Sequence, residues 1–285
     1  MEYIVTNICQ GITNICQGID VGYVNTTPRD LSAMFPSLTL VGTPRFRPFR
    51  NVWMLEELRD ALPADVGFRY DHVVCAPHSD DARVHHPMGK IPSLLVRDGT
   101  EGDFTLIESA AINSWLGDRM REYWEVGGGS GGSGFLVPRP GSRDRAVYDS
   151  FVTFLVAEAD SSGLWIHRKL ESLGEKRAFG AVRYALLPAR LQFDRAMAGV
   201  RAQLEAQRPQ RPGYFLVGGC FTAADVLLVH CCDWAEGIDA DKGPAASWFS
   251  KYIGDDVFQD YLKRVRARPA YLRAKQIQED SPALA

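Results

Sequence analysis

The first segment whose residues could do chemistry is Gly42-Thr43-Pro44, followed closely by Arg45 and Arg47. Threonine is a common N-cap and proline is common in the first helical turn, so the pattern predicts a helix start with Thr43 as its cap. A hydroxyl there would lie beside free N–H groups and the positive end of the helix dipole, which favour an anion. The segment could hold a thiolate, although an ordinary helix start also explains it.

The second segment is Met88-Gly89-Lys90-Ile91-Pro92, directly before a predicted strand. The Ile91–Pro92 bond is a candidate for the cis form, because the cis penalty of an X–Pro bond is small. A cis bond would leave the N–H and C=O of Ile91 free to pair with an extended ligand, and Lys90 could hold a carboxylate. By its spacing alone, the segment is better explained as an ordinary turn with a solvated lysine.

The third segment is Glu108-Ser109, at the start of another predicted helix. A serine at this point is most often a helix cap. However, Glu108 offers a negative charge for an ammonium group, and the helix start offers N–H donors for a carboxylate. An amino-acid head group carries this pair of charges, so the segment could bind one.

The elements that must position these segments follow from the hydrophobic pattern. Four strands and two helices are predicted in the order β-α-β, an irregular stretch, then β-β-α, at 37–41, 50–62, 68–74, 92–96, 104–107 and 109–120. Beyond residue 142 the period is helical almost throughout. Five helices are predicted there, at 143–160, 176–207, 222–235, 255–267 and 270–279.

Taken together in this order, the segments resemble the cytosolic glutathione transferase family over about residues 37 to 280. The resemblance lies in GTPRFRPFRNVWMLEEL, GKIPSLLV and ESAAINSWL in the first half, and in YFLVGGCFTAADVLL and RPAYLRA in the second. It implies an α/β plus all-α chain: a thioredoxin-like βαβ-ββα domain followed by an all-helical, bundle-like C-terminal domain. The N-terminal extension and a Gly/Ser insert lie outside the family pattern.

Domain boundaries follow from this pattern. We expect a poorly ordered extension at 1–36, a glutathione-binding domain at 37–122, a Gly/Ser/Pro-rich linker at 123–141 and the helical domain at 142–285. The extension contains TNICQGI twice in tandem, which separates Cys9 and Cys16 by seven residues. A duplicated, loosely packed tail explains the repeat, and a redox role for the two thiols is the alternative.

The resemblance also implies roles for the residues singled out above. Lys90 would bind the glycyl carboxylate of glutathione, the backbone of Ile91 before a cis Pro92 would pair with the cysteinyl part, and Glu108 and Ser109 would hold the γ-glutamyl end. The family has Ser, Cys or Tyr near the start of helix one, and Thr43 stands here instead. A threonine hydroxyl can donate to a thiolate, although its methyl group restricts χ1. Arg45 and Arg47 could add electrostatic support.

Other residues have structural or open explanations. Thr222 and Asp225 fit a capping box, so Asp225 is interpreted as structural rather than catalytic. Tyr148, Phe151 and Trp165 are candidates for an apolar electrophile pocket, with core packing an equally good explanation. His85-His86 lacks a third ligand at metal-binding spacing, and Cys231-Cys232 lie in an apolar helix, which predicts buried, inert thiols.

Composition limits the classes of partner. The chain has 285 residues, 32 basic against 35 acidic side chains and only six cysteines. This balance gives no basic face, which argues against nucleic acid, and no apolar run approaches the roughly 20 residues that span a bilayer. The cysteines show neither zinc-ligand spacing nor a disulfide framework, so we expect a cytoplasmic protein with reduced thiols and no metal.

The function predicted is that of a glutathione S-transferase, with glutathione as co-substrate. It would activate the glutathione thiol and join it to a small hydrophobic electrophile, as in detoxification, and the resemblance implies a homodimer. Reduction, dehalogenation or isomerisation through the same thiol is an alternative. A binding or scaffold protein that retains the fold without catalysis is another, and Thr43 in the activating position keeps it open.

Overall fold

A computed structural model describes residues 36–98, 102–126, 135–169, 179–209, 213–243 and 245–283. The tandem repeat with Cys9 and Cys16 and the run at 127–134 lie outside the described residues. Within the described residues, no helix is long and apolar enough to cross a membrane. The secondary structure divides as expected, with a sheet in the first half of the chain and helices in the second.

A four-stranded sheet forms the centre of the first half, in the order β2-β1-β3-β4. Strand β1 pairs in parallel with β2, whereas β3 is antiparallel to both β1 and β4. This is the predicted thioredoxin-like arrangement. The strands comprise β1 Ser37–Val41, β2 Tyr70–Val73, β3 Ser93–Arg97 and β4 Phe104–Ile107.

Helix α1 spans Pro48–Ala61, close to the predicted 50–62, but it begins later than a helix capped by Thr43 would. Its N-cap is Arg47 and Pro48 is the first helical residue, so the prediction that Thr43 caps this helix is wrong. The early N–H groups of α1 already have partners, because Phe49 and Arg50 donate to the carbonyls of Phe46 and Arg47. The helix start therefore offers fewer free donors than expected.

The stretch before β3, predicted to be irregular, contains the short helix α2, Asp80–His85. Ser79 caps it, because its hydroxyl accepts the N–H of Ala82. Six residues are too few for a clear helical period, which is why the pattern did not indicate it. After β4, helix α3 spans Ser109–Val126 and ends later than the predicted 120.

The second half is helical in the described residues, as predicted. It contains five further α-helices and one π-helix that continues directly from the first of them. These are α4 Arg143–Phe154, the π-helix Leu155–Leu164, α5 Phe179–Gln207, α6 Ala223–Gly237, α7 Asp256–Arg266 and α8 Pro269–Asp280. Residues 165–169 are α-helical as well. The π-helix was not expected, and such segments occur often at functional sites.

One hydrophobic core runs through both halves, from Leu38 in β1 and Trp53 in α1 to Phe193 in α5 and Phe258 in α7. Helix α8 returns to pack along α1, so the end of the described chain covers the first half. The two halves therefore enclose a shared interior, and any cavity between them has walls from both.

The predicted capping box of α6 is present. The backbone N–H and the hydroxyl of Thr222 both donate to Oδ2 of Asp225, at 2.8 and 3.0 Å. The other carboxylate oxygen accepts the N–H of Leu216 at 3.0 Å and the hydroxyl of Tyr261 at 2.8 Å. Asp225 is completely buried. These hydrogen bonds join three segments of the helical half, and the structural rather than catalytic role of Asp225 stays a prediction.

Candidate functional site

A cavity of about 510 Å³ lies between the sheet and the π-helix. All five residues that the resemblance assigned to glutathione line it, on the side of the first half. They are Lys90, Ile91, Pro92, Glu108 and Ser109. The opposite wall comes from α4 and the π-helix, including Val156, Asp160 and Ser161, with Trp165 just beyond. Residues far apart in sequence thus surround one space large enough for a small-molecule ligand.

The loop that carries Lys90 is held against the start of α1. The Ile91–Pro92 peptide bond is cis, as predicted. Gly42 lies against it at a φ of +128°, and a Cβ at Gly42 would come within 2.7 Å of the Cβ of Ile91. His86, also at the cavity, is buried and accepts the N–H of Met88 at 3.0 Å. Burial lowers the pKa of His86, which favours the neutral ring.

Ser109 is fixed by side chains from α1. Its hydroxyl accepts Nη1 of Arg50 at 3.2 Å, and its carbonyl accepts Nδ2 of Asn51 at 3.0 Å. Glu108 precedes it with a φ of +68°, an unusual value for a residue with a side chain. As the first residue of α3, Ser109 stands where helical N–H groups lack partners within the helix. This end of the cavity can therefore receive both an ammonium and a carboxylate.

A buried charge cluster lies beneath the cavity. Asp160 accepts Nε of Arg47 at 3.0 Å and forms an ion pair with Arg50 at 2.8 Å. Burial raises the pKa of Asp160, but the charges and hydrogen bonds of Arg50 and Arg47 outweigh burial and hold that pKa well below its usual range. One carboxylate serves two guanidinium groups, so the cluster keeps a net positive charge.

The exposed member of this cluster is Arg47. About a quarter of its side chain is exposed, whereas that of Arg50 is almost fully buried. Its guanidinium lies 4.6 Å from the ring centre of Trp165, a cation–π distance. Arg47 therefore brings the uncompensated charge to the wall of the cavity. Sequence reasoning named Arg47 as electrostatic support but missed Arg50, Asn51 and Asp160.

Thr43, the predicted activating residue, is buried, with only 1% of its surface exposed. Its backbone N–H donates to the carbonyl of Cys75 at 2.9 Å, and its hydroxyl accepts the N–H of Arg45 at 3.4 Å. It does not line the 510 Å³ cavity. Its proposed role in ionising a thiol stays a prediction.

A second cavity, of about 210 Å³, opens on the other side of Arg47 and Trp165, which line both spaces. Of the three aromatic residues proposed for an electrophile pocket, only Trp165 lies here. Tyr148 is fully buried and shares a hydrogen bond of 2.8 Å with Ser114, so it belongs to the core. Phe151 faces shallower grooves beside α4.

Three further residues singled out in the sequence, Cys231, Cys232 and His85, line neither cavity. Cys231 and Cys232 are fully buried, as predicted, and burial raises the pKa of Cys231 to about 12. His85 ends α2. No group of three His, Cys, Asp or Glu side chains in the described parts of the chain could hold a metal ion.

Comparison with solved structures identifies the fold. Yeast Ure2p in complex with glutathione superimposes with a TM-score of 0.63 at 17% identity, over 84% of this chain and 98% of that one. A glutathione transferase family member from Pseudomonas fluorescens, with two glutathione bound, superimposes with a TM-score of 0.63 at 17% identity, over 84% of this chain and 92% of that one. A sphingomonad glutathione S-transferase complexed with glutathione has a TM-score of 0.59 at 20% identity, over 85% of this chain and 100% of that one.

No family model matches the chain, and no curated protein matches it in sequence. The likeness is thus one of structure at low identity, and it establishes the fold. The chain has the glutathione transferase fold, with a thioredoxin-like half and a helical half.

Proposed function

We propose that this protein binds glutathione in the 510 Å³ cavity and joins the glutathione sulfur to an electrophilic carbon of a small molecule. One observation supports this most: Lys90, Ile91, Pro92, Glu108 and Ser109, separated by up to 19 positions in sequence, line the same cavity. Solved structures that share the fold contain glutathione.

The chemistry of the cavity suits a γ-glutamyl tripeptide. Glu108 would attract the ammonium, while the hydroxyl of Ser109 and the N–H groups at the start of α3 would hold the adjacent carboxylate. The backbone of Ile91 would pair with the cysteinyl residue. Lys90 would bind the glycyl carboxylate at the other end. Each ligand charge would then meet an opposite charge or a donor.

The sulfur of bound glutathione must lie where the electrophile can reach it, which places it between the two cavities. Arg47 and Trp165 line both of them. We propose that Arg47 stabilises the thiolate, with Thr43 as the alternative activating residue. A thiol of pKa near 8.5 is only about 3% ionised at pH 7. A charge-assisted hydrogen bond contributes about 1.5–3 kcal/mol, enough to lower that pKa by roughly one to two units.

The transfer itself needs only the thiolate and its acceptor. The sulfur attacks an electrophilic carbon, the C–S bond forms, and the leaving group departs with its electron pair. A reductase, dehalogenase or isomerase reaction could start from the same thiolate. A homodimer and a cytoplasmic location stay proposals. So does a catalytically inactive binding protein, which the burial of Thr43 would suit.

Calorimetric titration with glutathione at pH 7, in two buffers of different ionisation heat, tests the proposal. We expect binding with release of about 0.2 to 0.7 proton per site, as a thiol pKa lowered by one to two units implies at pH 7. Glu108→Gln, which removes the charge opposite the ammonium, should raise the Kd at least tenfold. Glu122→Gln removes a partly exposed carboxylate that pairs with Arg119, and it should leave the Kd unchanged.

Three results would change the conclusion. Binding without proton release would indicate a glutathione carrier rather than a transferase. Equal effects of the two glutamate variants would mean that Glu108 does not contact glutathione. Absence of binding would favour the scaffold protein.

A further inference from the structure

The 210 Å³ cavity has an unusual wall composition for an apolar electrophile pocket. It lies between the start of α1, the helical segment at 165–169, α6 and α8. Among the described residues, four cationic side chains border it, and only one carboxylate does. The cations are Arg45, Arg47, Arg168 and Lys275, and the carboxylate is that of Asp233.

Two of these cations have no charged partner among the described residues. The guanidinium of Arg45 donates to the carbonyl of Ser281 from both Nε, at 3.2 Å, and Nη2, at 2.6 Å. Lys275 donates to Oε1 of Gln278 at 3.1 Å. These partners are neutral oxygens, so both positive charges remain available to an anion that enters the cavity.

The single carboxylate is already engaged. Both Nε and Nη2 of Arg266 donate to Oδ1 of Asp233, at 3.0 and 2.6 Å, and the hydroxyl of Tyr271 donates to Oδ2 at 2.9 Å. Asp233 therefore adds little negative field inside the cavity. His230 is buried and accepts Nε of Arg50 at its Nδ1, so its ring contributes no negative charge. The described residues of the cavity wall therefore carry a net positive charge.

Apart from Gln278, its remaining described walls are aromatic. Trp165 and Trp234 flank Arg47, whose guanidinium lies 4.6 and 5.8 Å from their ring centres. Phe49 stacks on the ring of His230 at 5.8 Å, and Phe46 lies beneath the guanidinium of Arg168 at 4.0 Å. Flat rings and cations that alternate around a small space suit a planar molecule that carries a negative group.

We propose that the second cavity binds an aromatic anion, and that the acceptor of the glutathione sulfur is therefore an aromatic electrophile bearing a carboxylate. The second part rests on the proposed function. The ring would stack on Trp165 and Trp234, and the carboxylate would point to Lys275 and Arg45. For an aryl chloride, the thiolate forms the C–S bond, the C–Cl bond breaks, and chloride leaves with the electron pair. The thiol proton has by then passed to solvent.

Binding is tested first, without glutathione, on the full-length protein. The probes are 2-naphthoate and its neutral isostere 2-naphthamide, titrated by calorimetry at low salt. We expect naphthoate to bind at least tenfold more tightly than the amide. Lys275→Gln should raise the Kd of 2-naphthoate at least fivefold and change the Kd of 2-naphthamide less than twofold. Lys251→Gln, a control at an exposed lysine paired with Asp194, should change neither.

Three outcomes overturn the site. They are equal affinity for the two probes, absence of binding by both, and equal effects of Lys251→Gln and Lys275→Gln. The last would indicate a general charge effect. A folding defect in Lys275→Gln would also lower its affinity for 2-naphthamide, so unchanged binding of the amide shows that the variant is folded. Lys275→Arg, which keeps the positive charge, should restore binding of 2-naphthoate.

Turnover then separates this inference from the proposed function. With glutathione, 4-chloro-3-nitrobenzoate should give a kcat/KM at least tenfold above that of 4-chloro-3-nitrobenzamide, and Lys275→Gln should reduce the difference mainly through KM. Equal turnover of both would overturn the anionic acceptor while supporting a transferase. Selective naphthoate binding without glutathione binding would support the site and overturn the transferase.

Discussion

Arg50 of α1 and Asp160 of the π-helix form a buried ion pair at 2.8 Å that joins the two halves of the chain. Arg50 also donates to the hydroxyl of Ser109 at 3.2 Å and to Nδ1 of His230 at 3.1 Å. One side chain thus links the start of α3, the π-helix and α6. The position of a proposed glutathione-binding residue therefore depends on a contact between the halves.

The first prediction concerns Asp160→Asn. It leaves two guanidinium groups facing each other without a carboxylate, and removal of one member of a buried pair costs about 3–5 kcal/mol. We expect the free energy of unfolding at pH 7 to fall by about that amount in urea titrations. Asp149→Asn, at an exposed carboxylate whose partner Arg145 keeps its second ion pair with Asp118, should cost less than about 1 kcal/mol.

The same pair sets a pH dependence. Because the pKa of Asp160 is held below its usual range in the folded protein, its contribution is fully present above the unfolded pKa of about 3.9 and is lost as the pH falls through the folded value. The stability difference between wild type and Asp160→Asn should thus be constant from pH 5 to 8 and shrink below pH 4. A difference that grows toward low pH would contradict this.

The second prediction concerns the thiolate. Arg47→Gln removes the more exposed charge of the cluster, and Asp160 keeps Arg50 as its partner. We expect kcat at pH 7 to fall at least tenfold, with a smaller loss at pH 9, where the free thiol ionises without help. The measurement is a pH profile of kcat, with the Kd of glutathione determined in parallel.

Thr43 provides the contrasting variants. Thr43→Val removes the hydroxyl at nearly constant volume, and because that hydroxyl is enclosed, we expect kcat to change less than threefold. A tenfold loss in Thr43→Val, with activity retained in Thr43→Ser, would instead make Thr43 the activating residue. Unchanged kcat in both Arg47→Gln and Thr43→Val would eliminate both candidates.

The parts of the site that sequence could predict are those with local signals. The start of α3 at Ser109 and the capping box at Asp225 each lie within a few residues of the feature that defines them. Local chemistry at helix starts and caps is the same in most folds, so a short pattern is sufficient. The cis bond at Ile91–Pro92 was only a candidate by its local pattern, and the family resemblance was needed to favour it.

The parts that sequence could not predict depend on long-range packing. Arg47 and Asp160 are 113 positions apart, and nothing near either residue identifies the other. The assignment of Thr43 as a cap was wrong because the chain continues through a turn to Arg47 before α1 begins. Proline occurs at both 44 and 48, and either could have opened the helix. Tyr148 was named for its type, and only packing shows that it is buried.

The third prediction concerns Gly42→Ala. A Cβ would come within 2.7 Å of Ile91 and 2.9 Å of Pro48, at a φ of +128° that side chains avoid. We expect a loss of about 2 kcal/mol or more in the free energy of unfolding and at least a tenfold weaker affinity for glutathione, since the loop before Pro92 must move.

Gly67→Ala provides the control. Gly67 also has a positive φ, of +62°, but nothing lies within 4 Å of its added Cβ. We expect the free energy of unfolding of Gly67→Ala to fall by only about 1 kcal/mol and its affinity for glutathione to equal that of wild type. If Gly42→Ala bound glutathione as tightly as wild type, the contact with Ile91 would not shape the cavity.

The fourth prediction tests the structural role of Asp225. Asp225→Ala leaves the N–H groups of Leu216 and Thr222 buried without their acceptor, and each such group costs about 1–3 kcal/mol. We expect the free energy of unfolding to fall by about 3 kcal/mol, while kcat of the folded fraction stays within twofold of wild type. Asp225→Asn should also destabilise, because its single amide oxygen can replace only one of the two accepting oxygens.

Asp241→Ala, at an exposed carboxylate, is the matched control and should leave the midpoint of urea unfolding within experimental error. Stability and kcat must be measured on the same preparations, because a loss of folded protein would otherwise lower the apparent kcat. A normal unfolding midpoint in Asp225→Ala together with lost turnover would give Asp225 a catalytic role. Since Asp225 is completely buried and four hydrogen bonds already occupy its two oxygens, neither oxygen is available to a substrate without unfolding the start of α6.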